Sequence, residues 1–98
     1  MNYLEVISPY LAKIDTPEAK LDKSVFNEAL LKLEPVVDLM LRGDMNIVFN
    51  VLYRLDVSEE KVKFILFGTH EEKASKLLAE AILEREIVRR IFRLKYSK

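Results

Sequence analysis

The chain has no cysteine and no tryptophan, and its 98 residues include two glycines, three prolines and one histidine. Without cysteine there is no disulfide scaffold, no zinc–thiolate module and no cysteine nucleophile. The glycines, Gly43 and Gly68, stand 25 positions apart and cannot form a phosphate-cradling loop. So little turn chemistry also disfavours folds made of strands and tight turns. One imidazole, His70, cannot supply the two Glu-x-x-His pairs of a helical di-metal site. Nucleophile-elbow and zinc-protease signatures are missing too. No run approaches the roughly 18–20 apolar residues of a membrane span. The opening stretch 1–15 carries Glu5 and no basic leader, so it does not read as a secretory signal. The expectation is a cytoplasmic protein with no cofactor, no metal and no supported catalytic role.

What is present is enough for a core. Half the residues are apolar, a third are charged, and 16 bases balance 16 acids, which suits one folded domain over 1–98. Apolar residues recur at three- and four-residue steps almost everywhere, the period of helices. Tyr3, Leu4, Ile7, Tyr10, Leu11 and Ile14 mark the first, where Pro9 predicts a kink or a fresh start capped by Ser8. Asp15-Thr16-Pro17-Glu18 reads as a cap followed by proline in the first turn, and Leu21, Val25, Ala29 and Leu33 continue the helix it would open. Pro35 is expected to end or kink that helix, leaving a short one that stops at Gly43.

Asp44 caps a helix over 45–55, and Ser58 caps another, with Val57 stapled onto Val62 and Gly68 closing it. Residues 62–67 are rich in strand formers, but a lone strand has no partner and the Ser58 cap predicts helix. Thr69-His70-Glu71-Glu72 has the form of a capping box, and nothing interrupts the helix that follows to about Lys95. The fold class is therefore all-α, a single-domain bundle of five or six helices with a long C-terminal helix.

That last helix has a geometric consequence. Residues 70–95 span about 39 Å at ~1.5 Å per residue, whereas a globule of this length, with a radius of gyration near 13 Å, is about 33 Å across. Its end is expected to overhang, carrying Arg85, Arg89, Arg90 and Arg93. Charge is segregated accordingly: residues 1–60 hold 6 bases and 11 acids (net −5), and residues 61–98 hold 10 bases and 5 acids (net +5). Arg85, Arg89 and Arg93 form one ridge that could track phosphates, although cations at a helix end also simply offset its macrodipole. Glu86 is expected to pair with Arg90 one turn on. Ile91, Phe92, Leu94 and Tyr96 interleave with these bases and favour packing on protein, against the acidic half of the same or a neighbouring copy.

Two other segments stand out. Residues 45–55 are apolar nearly all round, so this helix is expected at the centre of the core or in a homodimer seam or groove. Asn46, Asn50 and Arg54 form its one polar ridge, a solvent strip or a contact line. Leu52 to Leu66 resembles a helix-turn-helix unit, with Leu55, Val57, Val62 and Ile65 where that family buries residues and Ser58 at its usual cap. Asp56 replaces the usual glycine, Leu52 the usual small residue, and Glu59 and Glu60 would repel phosphate at the front of a recognition helix. A structural αα-corner uses the same packing. The Leu-Tyr-Arg-Leu-Asp-Val-Ser-Glu stretch from Leu52, with Glu84-Arg85-Glu86, is similar to that of small uncharacterised bacterial all-α proteins, a resemblance that implies a helical fold and no activity. The expected partner is another protein or a second copy, most simply a homodimer; nucleic acid is the alternative, and His70 as a lone general base is a third route.

Overall fold

The computed structural model describes residues 2–68 and 71–96. They form five helices: α1 (Tyr3–Leu11), α2 (Lys23–Arg42), α3 (Met45–Arg54), α4 (Glu59–Gly68) and α5 (Glu71–Tyr96). No strand occurs among the described residues, and 62–67 are helical. Thr69 and His70, and with them the capping box, lie outside the described residues.

The core is built on α2 and α5. Ala29, Leu33 and Val37 of α2 share one cluster with Leu78, Ala79, Ile82 and Leu83 of α5. α1 covers the pair with Ile7, Tyr10 and Leu11; α3 adds Val48, Val51, Leu52 and Leu55, and α4 adds Val62 and Ile65. The molecule measures 39 × 24 × 23 Å with a radius of gyration of 13.5 Å. At ~1.5 Å per residue α5 is itself about 39 Å long, so the body has stretched along its longest helix instead of leaving it to project from a sphere.

Two prolines lie inside helices, where a kink or a break was expected. Pro9 lies in the last turn of α1, and Ser8 is helical rather than a new cap, its hydroxyl donating to the carbonyl of Leu4. α2 runs through Pro35 as one helix. Pro35 is exposed, and without an N–H it cannot donate to the Leu31 carbonyl one turn back. The start of α2 departs from expectation as well. Residues 16–19 make a turn, with the Ala19 amide donating to the Thr16 carbonyl, and the helix begins only at Lys23. Ile14, fully buried, pins the chain before that turn, and this tertiary anchor overrides the local cap-and-proline preference.

The α3–α4 corner follows its local chemistry. Asp44 accepts from the Asn46 amide, and the Ser58 hydroxyl accepts from the Lys61 amide. α3 ends in a paired turn: the Asp56 amide donates to the Tyr53 carbonyl and the Val57 amide to the Leu52 carbonyl, both at 3.1 Å. Asp56 takes the left-handed position with φ 60°, where a glycine would sit without a Cβ penalty. Asp56→Gly is therefore expected to raise stability by about 1 kcal/mol and Asp56→Val to lower it by about 1–2 kcal/mol; urea unfolding with an unchanged slope checks both. Leu33→Ala, which opens a cavity at the α2–α5 contact, is expected to cost about 2–5 kcal/mol in the same assay.

Candidate interaction surface

α3 is not the enclosed central helix that its composition predicts. Val48, Val51 and Leu52 face inward, but Asn46, Asn50 and Arg54 lie exposed on the opposite side. At 100° per residue, Phe49 and Tyr53 flank that polar ridge on one side and Ile47 on the other. All three are exposed, Tyr53 by 85%. The ridge is thus the middle of a mixed aromatic and polar face.

On α5 a single seam connects core to solvent. Leu78, Ile82, Arg85, Arg89, Phe92 and Tyr96 alternate four- and three-residue steps, the spacing of one helix face. Leu78 and Ile82 are fully buried; Arg85 is half-buried; Arg89, Phe92 and Tyr96 are exposed, with Val88 beside them. The face that packs into the body therefore continues past it uncovered. The Phe92 and Tyr96 rings lie 4.5 Å apart, and the Lys95 ammonium sits 5.7 Å from the Tyr96 ring centre. The other side of this segment is held: Ile87, Ile91 and Leu94 are half-buried, and Arg90 Nε donates to the Ile14 carbonyl at 3.0 Å.

The arginines differ in what they have left to offer. Arg85 Nε donates to the Leu55 carbonyl at 2.7 Å, placing a cation at the negative end of α3. Arg90 is tied to Ile14, not to Glu86 as the one-turn spacing suggested. Glu86 instead points into the α1 contact, where it is 2% exposed and accepts the Tyr3 hydroxyl at 2.6 Å. Arg89 lies 3.9 Å from its other oxygen. Burial, then the hydrogen bond to Glu86, hold the Tyr3 phenol well above its ordinary value of 10.0, while Arg54 and Arg89 oppose that shift through their charge. Arg54 of the α3 ridge and Arg89 of the α5 arm, separate in sequence, so both act on the Tyr3–Glu86 pair. Arg93 stands apart and exposed.

A groove of about 760 Å³ opens between α2, the starts of α3 and α5, and α4. Its apolar lining includes Leu31, Pro35, Leu41, Met45, Leu66 and Phe67, of which Leu31 is 71% and Phe67 81% exposed. Asp38 crosses its wall, accepting from the Ser75 hydroxyl and from Arg42 Nε, each at 2.9 Å. Those two donors, Ser75 first, hold its carboxyl below the usual value. Glu34 also lines the groove, and among the described residues it has no hydrogen bond and no ion pair. Sequence reading passed over this feature. Its signal was an overfull α2: Leu31, Pro35 and Leu39 repeat at four-residue steps on the face opposite the buried Ala29, Leu33 and Val37.

Among the described residues no three His, Asp or Glu side chains are grouped to hold a metal ion, and no helix is long and apolar enough to cross a membrane. What the surface offers is aromatic, aliphatic and cationic contact area. The buried polar pin yields a prediction. Tyr3→Phe removes a short hydrogen bond to a buried carboxylate and is expected to cost about 1–3 kcal/mol near neutrality. The folded state keeps the Tyr3 phenol protonated where the unfolded chain ionises it, so this contribution is complete below the ordinary value and fades as pH rises above about 10. Urea unfolding of both proteins across that range should show the gap between them narrowing.

No family model, no curated protein and no solved structure matches this chain.

Proposed function

We propose that this chain is a small cytoplasmic helical module for protein–protein interaction, acting through self-association as a homodimer and not through catalysis. The observation that carries this reading is the α5 seam, which leaves the core at Arg85 and continues as Arg89, Phe92 and Tyr96, all three exposed. A helix face with core spacing and aromatic residues at its end is what a partner surface requires. The exposed aromatic flank of α3 adds to it. A second reading, nucleic-acid binding, draws on Arg89, Arg93 and Lys95 beside two stackable rings. It is the weaker one, because Arg85 and Arg90 already donate to backbone carbonyls and the phosphate-tracking ridge shrinks to its outer half.

Sedimentation equilibrium over a wide concentration range is the test. The mass is expected to climb from 11.5 kDa toward twice that value. Phe92→Gln with Tyr96→Gln should keep the chain monomeric while changing its unfolding free energy by no more than about 0.5 kcal/mol. A monomer mass at every concentration and salt would remove the self-association reading. Retardation of labelled RNA or DNA at low salt, lost in Arg89→Glu with Arg93→Glu, would put the second reading in its place.

A further inference from the structure

We propose that the end of α5 from one copy docks into the α2–α4 groove of a second copy, and that the two copies exchange these contacts reciprocally. This rests on the self-association reading and adds to it the two surfaces that meet.

The complementarity lies in both shape class and charge. The groove presents Leu31, Pro35 and Phe67 around a carboxylate, Glu34, that has no partner among the described residues. The end of α5 presents Phe92 and Tyr96 beside Arg93, an exposed guanidinium that likewise has neither hydrogen bond nor ion pair among the described residues. The groove's other charges, Asp38 and Arg42, are paired with each other, so Glu34 is the carboxylate left to receive a cation there. The acids of the groove belong to the half of the chain with net −5 and the tail to the half with net +5, so like copies attract where these surfaces face.

The occupant cannot be the same copy's own tail. Ser75 lines the groove and Tyr96 ends the helix; along one straight α5 they stand about 31 Å apart at ~1.5 Å per residue. Two aromatic side chains of roughly 150–250 Å² each, partly exposed, leave a single tail-in-groove contact well short of the ~800 Å² per partner of a stable interface. Two reciprocal contacts bring each copy's tail and groove into play and close the assembly at a two-fold dimer.

The absence of native cysteine makes the contact directly readable. In the variant Leu31→Cys with Tyr96→Cys, both positions are exposed, and mild oxidation is expected to yield a covalent dimer on non-reducing gels. Mixing the two single variants should give the same cross-linked species, while neither alone should. Separately, Glu34→Lys and Arg93→Glu are each expected to weaken dimerisation on the order of tenfold or more. Mixing them restores it, because the heterodimer regains an opposite-charge pair at both contacts; circular dichroism confirms that each variant is folded. A dimer in solution that neither cross-links between these positions nor responds to the charge changes would overturn this docking mode and leave self-association standing. A monomer at every concentration would overturn both.

Discussion

The contact on which the whole arrangement depends is that between α2 and α5. Leu33 and Val37 meet Leu78, Ile82 and Leu83 with no exposed surface left on any of them, and every other helix packs onto the ridge that this pair makes. At ~1.5 Å per residue, α2 is about 30 Å long against about 39 Å for α5. A longer helix laid on a shorter one has a surplus, and the molecule absorbs it by elongating and by folding the α1–α2 connection up against one side of the surplus. On the other side Val88, Phe92 and Tyr96 are exposed. From that mismatch come both the exposed seam and the need for polar attachments to hold the last turns in place.

Those attachments come from side chains that composition alone would assign to solvent. Arg85 closes the C-terminus of α3, Arg90 grips the carbonyl of Ile14, and Glu86 takes the hydroxyl of Tyr3. Each joins α5 to a different segment, and two end on backbone carbonyls that no helix satisfies. An arginine suits this task because its long apolar stem covers neighbouring side chains while the guanidinium reaches a carbonyl at the edge of water. The cations committed inward fix where the helix lies, whereas Arg89 and Arg93, farther along the same face, are exposed.

How much of this was written locally can be judged residue by residue. The start of α3 and its corner with α4 were legible because they rest on neighbours in sequence: Asp44 and Ser58 as caps and Asp56 at a left-handed angle. The long α5 was legible for the same reason, since nothing within it opposes a helix. Sequence reading failed where distant residues decide. Pro17 looks like a helix start, yet buried Ile14 and its link to Arg90 hold the chain in a turn there. Glu86 has Arg90 at the favoured spacing, yet Tyr3 reaches it from 83 positions away. The groove draws on four helices, and no single stretch shows which of its apolar residues go uncovered.

The Tyr3–Glu86 bond has a bearing on how the chain reaches this state. α1 packs on α2, its neighbour in sequence, and reaches α5 through this bond from 83 positions away. The local packing brings α1 in at little loop-closure cost, and the bond to Glu86 then ties the first helix to the last. Departure of α1 would uncover Ile7 and Tyr10 and bare a carboxylate beside Arg89, so the N-terminal helix is the cover that this end of the molecule depends on.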